Sequence, residues 1–105
     1  MASSKEYLEY LMEQLASPEV TCRPMMGEYL LYWQERLVGG IYDDRLLVKD
    51  IPAARRLLPE APEELPYEGA KPMLLVECVD DGKALRELFA QMATELPPPK
   101  PRRRR

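Results

Sequence analysis

The residues of this 105-residue chain that could do chemistry are two cysteines, three serines and two adjacent carboxylate pairs, Asp43-Asp44 and Asp80-Asp81. The sequence contains no histidine, which removes Ser–His and Cys–His nucleophile activation and imidazole-based zinc sites. Adjacent aspartates at a turn or a helix start form turns and caps far more often than they bind metals. The sequence therefore predicts no catalytic residues, no metal site and no cofactor, in a protein that is not an enzyme.

The cysteines, Cys22 and Cys78, are too few and too far apart in sequence for a disulfide framework or a zinc site. Each falls in a predicted strand, where a buried thiol behaves as a small hydrophobe. A disulfide between them would need Cα atoms within about 7 Å, a distance that the sequence does not give.

Recognition of a partner is the other chemistry that the side chains could serve. Tyr29 and Trp33 lie in a strand with apolar residues on both faces, so either helices cover parts of both faces or an aromatic patch is left for a partner. Tyr67 and Lys71 lie in a proline-rich loop, whose aromatic, cation and rigid prolines suit recognition. In the alternative, Tyr67 packs back onto the domain and Lys71 is solvated.

The end of the chain is strongly basic. It holds five of the 15 basic residues and no acidic one, which leaves 10 basic against 18 acidic residues elsewhere, a net charge of −8. A basic run attracts phosphate backbones, whereas an acidic body repels them. Two hypotheses stay open: an arm making about five nucleic-acid phosphate contacts, or a solubilising terminus without a dedicated partner. The candidate contacts are Lys100, Arg102, Arg103, Arg104 and Arg105.

The bulk composition is that of a single globular domain, with 46% apolar and 31% charged residues. A chain of this length buries roughly 65% of its unfolded surface, enough to fold without metals or disulfides. Its apolar runs are far shorter than the roughly 20 residues that cross a bilayer, and its start lacks the pattern of a signal peptide. We expect no membrane association and a cytoplasmic location.

Hydrophobic periodicity predicts the first elements. A helix begins at Ser3, with Glu6 completing a capping box, and stops at Pro18. Strands follow at residues 20–23, 28–33, 37–42 and 45–49. Their connections are so short that neighbouring strands must be antiparallel. Asp50 is predicted to cap a second helix with Pro52 in its first turn.

The second half of the chain begins with a proline-rich stretch, residues 59–72, that is typical of an irregular surface loop. A strand at residues 73–79 follows, and Asp80 or Asp81 caps a last helix that ends before Pro97. The order α-β-β-β-β-α-β-α predicts an α+β fold, an antiparallel sheet of about five strands with N-terminal, middle and C-terminal helices packed on it. The domain is residues 1–96, and residues 97–105 form a Pro/Arg-rich flexible tail. The predicted core of the domain includes Leu11, Leu31, Ile41, Val76 and Leu88.

Glycines mark special backbone positions in two strands. Gly27, at the start of a strand, favours a conformation closed to residues with a Cβ, or a close backbone approach. Gly39-Gly40, inside a strand, indicates a bulge or a helix lying directly over the backbone. A phosphate-binding loop would need a strand–loop–helix context, and neither glycine site opens a helix.

Three segments resemble the N-terminal domain of the TfoX/Sxy family of competence regulators. Residues 23–32, RPMMGEYLLY, correspond to an Arg-x-Met-Phe-Gly-Gly-Tyr-like segment of the family. Residues 40–49, GIYDDRLLVK, correspond to a hairpin ending in a Leu-x-Leu-Lys-like strand, and residues 66–73, PYEGAKPM, precede the fifth strand. The resemblance spans roughly residues 3 to 96. Met26 stands where an aromatic is usual, and Glu28 where a second glycine is usual.

The resemblance implies the α+β fold and a non-enzymatic regulatory or interaction module, linked to transcription or competence through protein contacts. Full-length family members act with a cyclic-AMP-responsive activator to switch on DNA-uptake genes, and nothing in this sequence corresponds to their second domain. The family supplies no catalytic residues. The alternative hypothesis is a stand-alone adaptor or dimerisation domain with no nucleic-acid role. Either way we expect a protein partner, which the sequence does not identify, or a homodimer.

Overall fold

The computed structural model describes residues 4–97, which form one antiparallel sheet with three helices on one of its faces. The elements are α1 Lys5–Leu15, β1 Val20–Met25, β2 Glu28–Trp33, β3 Arg36–Ile41, β4 Leu46–Val48, α2 Pro52–Leu57, β5 Glu63–Glu64, β6 Met73–Leu75 and α3 Gly82–Ala93. The strand order across the sheet is β1-β2-β3-β4-β6-β5, and every neighbouring pair is antiparallel. The predicted α+β class is confirmed. No helix in this part of the chain has the length and apolar character to cross a membrane.

One strand was not predicted. β5 lies inside the proline-rich stretch and pairs with β6 at the edge of the sheet, so the described sheet has six strands rather than about five. Pro62 and Pro66 flank this strand at a short distance, and proline has no N–H for the ladder, which limits β5 to two residues. β6 is shorter than predicted and ends at Leu75, so Cys78 follows the strand rather than lying in it.

The N-caps of α1 and α2 differ from the predictions, whereas that of α3 agrees. α1 starts one residue later than expected, because Ser4 is the N-cap and its Oγ accepts a hydrogen bond from the Tyr7 N–H at 3.1 Å. A capping box of Ser3 with Glu6 is therefore wrong. Asp81 caps α3, as predicted, by accepting from the Ala84 N–H at 3.1 Å.

Asp50 does not cap α2, contrary to the prediction. The N-cap residue is Ile51, which makes no side-chain cap hydrogen bond. The Asp50 carboxylate instead receives two hydrogen bonds of 2.7 Å from Arg55. A carboxylate just beyond the C-terminal end of α3 takes over the capping role, since Glu95 Oε1 accepts from the Ala53 N–H at 2.8 Å.

Three two-residue turns connect β1 to β4. They are Met26-Gly27, Gln34-Glu35 and Asp43-Asp44, and all six residues have positive φ. Positive φ at both central residues is the type I′ geometry, whose twist matches that of the flanking strands. The short connections therefore make antiparallel hairpins, as predicted, although five of the six turn residues are not glycine.

A bulge in β3 decides which residues of that strand face the helices. Leu31 pairs with Gly39 but Tyr32 pairs with Leu37, so Val38 is the extra residue. The predicted irregularity at Gly39-Gly40 is thus a bulge, and β4 backbone rather than a helix lies against Gly39. Because partners across an antiparallel pair share a face, the bulge sends Leu37 to the face of Tyr32.

The main core lies between the sheet and the helices. The five residues predicted to be buried are all at most 2% exposed, which confirms them: Leu11, Leu31, Ile41, Val76 and Leu88. Strand residues of one alternating set complete the core with the inner sides of α1, α2 and α3. The helix layer thus covers one face of the sheet.

Two arginines donate hydrogen bonds to the carbonyl groups at the C-terminal ends of helices. The Arg86 guanidinium donates to the Gln14 and Leu15 carbonyls at the end of α1, and Arg36 donates to the Ala93 carbonyl at the end of α3, at 2.7 Å. Cations at helix C-termini satisfy unpaired carbonyls and oppose the helix dipole. Gly82 allows the contact between α1 and α3, because a Cβ there would collide with the Gln14 carbonyl.

The turn at Glu35 gives a first prediction. Glu35 is exposed and has φ of 69°. Glycine would relieve a left-handed strain of about 1–2 kcal/mol and lose about 0.5–1 kcal/mol to unfolded-state entropy. We expect Glu35→Gly to raise the free energy of unfolding by about 0.5–1 kcal/mol in urea titrations. Glu35→Ala, which removes the same side chain without the backbone freedom, should change it little; equal effects would contradict the strain.

The core gives a second prediction. Leu88 is 2% exposed, so Leu88→Ala should lower the free energy of unfolding by about 2–5 kcal/mol through lost burial and the cavity left behind. Leu57, on α2, is 37% exposed, and its replacement by alanine should cost about 1 kcal/mol at most. Urea or thermal unfolding measures both variants, and comparable losses would contradict the core described above.

Candidate functional site

A second, smaller apolar cluster lies on the sheet face opposite the helices. Tyr42 is 6% exposed and Leu47 is fully buried, yet neither belongs to the main core. Leu47 alternates with Leu46 and Val48, which point into that core, so its side chain lies on the other face. Something other than a helix must therefore cover Tyr42 and Leu47.

The loop that follows β5 provides this cover. Arg45 holds its start, through an ion pair of 2.5 Å with Glu64 and a hydrogen bond of 3.2 Å to the Leu65 carbonyl. Tyr67 leans against Tyr42, with ring centroids 6.4 Å apart and planes tilted by 55°. Pro66, which precedes Tyr67 in the chain, is buried. The loop is thus fixed over the helix-free face rather than extended into solvent.

Between this loop and the sheet lies a groove of about 760 Å³, which we name the open-face groove. Its lining includes apolar side chains from the sheet, aromatic rings and two lysines: Leu37, Met73, Tyr42, Tyr67, Lys49 and Lys71. A mostly apolar lining with a few polar groups, in a volume of about 300–1,000 Å³, is typical of binding sites.

The uncompensated charge of the open-face groove is positive. Lys49 and Lys71 make no ion pair among residues 4–97. The acidic group of the lining, Asp50, is bound by Arg55, and these hydrogen bonds hold the pKa of that carboxyl below its usual range. Arg55 also binds Glu63 at 2.6 Å. A ligand therefore meets two lysine ammonium groups that make no ion pair within the described part of the chain.

Tyr42 can act as a hydrogen-bond donor at the base of the groove. Burial raises the pKa of its phenol above the usual value, and the neighbouring Tyr67, Glu28 and Tyr32 raise it further. The phenol is therefore protonated at neutral pH, as an unperturbed tyrosine also is, and has an O–H to donate. The ring lies against Gly40, where a Cβ would be 2.9 Å from it.

The sequence did not identify Tyr42 as a site residue. Its signal was a glycine two positions earlier on the same strand, since residues i and i+2 share a face. Gly40 leaves the space that the Tyr42 ring occupies. A bulge was expected from that glycine, but its effect on a neighbouring aromatic was not.

The four candidate partner-binding residues of the body form two groups on opposite faces. Tyr67, 60% exposed, and Lys71 come together in the open-face groove. Tyr29 and Trp33 lie on the helix face and are half-buried against the main core. The two pairs therefore do not make one site. The tail candidates Lys100, Arg102, Arg103, Arg104 and Arg105 lie outside the described residues.

The other groups singled out by the sequence are apart from the groove. Both cysteines are free and half-buried beside the core. Burial raises the pKa of the Cys78 thiol, with further increases from Asp81 and Asp80, so the reactive thiolate is disfavoured at neutral pH. Asp43-Asp44 forms a turn and Asp81 a helix cap. Among residues 4–97 no cluster of three or more cysteines and carboxylates is placed to hold a metal ion.

Comparison with known proteins finds a relative in Spirochaeta aurantia, an uncharacterized 12.7 kDa protein in the trpE 5′ region. The two are 34% identical over 106 residues, covering 98% of this chain and 91% of the relative. The chain belongs to the family of this protein. The family relationship covers both the sheet and the helix layer, since the alignment takes in nearly the whole chain. No family model and no solved structure matches the chain.

The contact between Gly40 and Tyr42 gives a third prediction. In Gly40→Ala the new methyl group would lie 2.6 Å from the Tyr29 carbonyl oxygen and 2.9 Å from the Tyr42 ring. We expect the free energy of unfolding to fall by about 1–3 kcal/mol because of overpacking. The ring resonances of Tyr42 and Tyr67 should shift in NMR spectra. Gly69→Ala is the control, because Gly69 has a φ of +88° but open space around it. It should lower the free energy of unfolding by about 1 kcal/mol and leave the Tyr42 resonances unchanged. Unmoved resonances in Gly40→Ala would contradict the contact.

Proposed function

We propose that this protein is a non-enzymatic regulatory or interaction module that binds a protein partner through the open-face groove. The observation that carries the proposal is the uneven cover of the sheet. Helices pack on one face, while the other face holds a groove beside an exposed tyrosine, Tyr67. Aromatic anchors next to a cavity are typical of the central residues of protein interfaces.

The way the groove is held supports a binding role. Its loop is fixed by Arg45 and by the Tyr42–Tyr67 contact, so a partner would meet a preformed surface. Preformed surfaces lose less conformational entropy on binding than mobile loops do. Such rigidity favours a recognition site over a solvent-exposed connection.

The biological role that we propose follows the resemblance to the TfoX N-terminal domain. It is regulation linked to transcription or competence, through protein contacts in the cytoplasm. One of its three segments, residues 66–73, contributes most of the groove's loop wall, including Tyr67 and Lys71. The resemblance and the groove thus meet in the same stretch of chain. A stand-alone adaptor without a nucleic-acid role is the second candidate, favoured by the net charge of −8 outside the tail.

Homodimerisation through Tyr29 and Trp33 is a weaker candidate. Both side chains are already half-buried against the core of their own chain. Less of their aromatic area is left for a second subunit than Tyr67 offers at 60% exposure. The groove is therefore the first surface to test.

The fourth prediction tests this function by quantitative affinity capture from the native cytoplasm. We expect the wild type to enrich a protein that a Tyr67→Ala/Lys71→Ala variant enriches at least tenfold less. Lys83→Ala is the matched control, because Lys83 is an exposed lysine of α3. This variant should capture the same protein as the wild type, in the same amount. Equal capture by the groove variant would overturn the proposal.

A tail deletion separates the two candidate functions. Removing residues 97–105 should leave protein capture intact but abolish binding to mixed-sequence duplex DNA, with a salt slope in the intact chain corresponding to at most about five phosphates. Loss of DNA binding supports the transcription-linked function. A full chain that binds no DNA supports the adaptor, and a truncated chain that binds as well as the full one contradicts the inference from the acidic body.

A further inference from the structure

Three features of the open-face groove identify the class of its ligand. We infer that it binds an extended acidic segment of a partner protein, with carboxylates at Lys49 and Lys71 and an apolar or aromatic side chain against Tyr42 and Tyr67. The inference rests on the proposed function and adds the chemistry of the partner.

Charge is the first feature. Lys49 and Lys71 line the groove without ion-pair partners among residues 4–97, while Asp50 is already bound by Arg55. A lysine ammonium offers three donors to a carboxylate, and two unpaired ammonium groups in one groove attract acidic ligands and repel basic ones. The basic C-terminal segment of this chain has the same sign of charge as the groove lysines and is therefore not a suitable ligand.

The aromatic wall is the second feature. Tyr67 and Tyr42 present adjoining rings, and Leu37 and Met73 add apolar surface from the sheet. Aromatic and methionine side chains accept apolar anchors of varied shape, and each tyrosine adds a polar tip. A ligand that carries only charge would leave this surface unused, so an acidic residue must adjoin an apolar one.

Size and shape are the third feature. The groove has a volume of about 760 Å³ and runs between the sheet and residues 66–73. The strands that contribute to its lining, β3 and β6, are interior strands of the sheet with a partner on each side. A ligand here must therefore bind through its side chains rather than add a strand. An extended segment presents alternate side chains to one surface, which suits this arrangement.

The fifth prediction uses a bead-displayed library of random heptapeptides. Three proteins are panned: the wild type, Lys49→Glu/Lys71→Glu, and the control Lys83→Glu, with unfolding curves to confirm that all three are folded. We expect the wild type and the control to enrich aspartate or glutamate next to aliphatic or aromatic residues. The groove variant should lose this enrichment and favour lysine or arginine, because its groove charge is reversed.

A selected peptide is then measured by fluorescence anisotropy. We expect the groove variant to bind at least tenfold more weakly than the control, and wild-type binding to weaken as salt is raised. If the wild type enriches neutral or basic peptides and Tyr67→Ala does not, the inference of an acidic ligand is overturned. The proposed function then still stands. Peptide selection that is identical in all variants, together with native capture that ignores the groove, would overturn both. Self-association of the wild type that the library peptides do not displace would show that a second copy occupies the groove instead, and would also overturn the inference.

Discussion

The register of the three N-terminal hairpins is the constraint on which the rest of the molecule depends. Side chains alternate along a strand, so a slip of one residue would exchange the two faces of the sheet. Leu31 would then leave the core, and Tyr32 would enter it. Two-residue turns at positive φ prevent such a slip, since each allows one pairing of its flanking strands. The sequence accepts backbone strain at five non-glycine turn residues, and in return each strand keeps one face toward the helices.

The bulge at Val38 extends this control to the functional face. Beyond it, Arg36 pairs with Trp33 on the helix face, where its guanidinium reaches the carbonyl that ends α3. Leu37 turns to the other face and lines the open-face groove. One inserted residue therefore places a helix cap and a groove residue at the same time. The glycine beside the bulge completes the arrangement, because only a residue without a side chain lets β4 approach so closely.

Much of this fold could be predicted from the sequence because its signals are local. The short connections predicted the hairpins, and the predicted core residues, Leu88 of α3 among them, are buried. The larger errors involve partners that are distant in the chain. Asp50 was expected to cap α2, but Glu95 accepts from the Ala53 N–H instead. β5 forms only because β6 is there to pair with it. The candidate site follows the same rule: Tyr67 and Lys71 were predicted from loop composition, whereas the place of Tyr42 in the site depends on its contact with Tyr67, which is distant in the chain.

The ion pair of Asp50 with Arg55 shows how an interaction of little energetic value can still shape a binding site. Both side chains are well exposed, and exposed pairs contribute little to stability. Yet Asp50 lines the groove directly after Lys49 in the chain, where a carboxylate without a partner could neutralise one lysine. Because Arg55 binds that carboxylate, Asp50 makes no ion pair with either lysine among residues 4–97, and both ammonium groups are left for a ligand. The ion pair of Asp50 with Arg55 therefore matters for the availability of the groove lysines rather than for the stability of the fold.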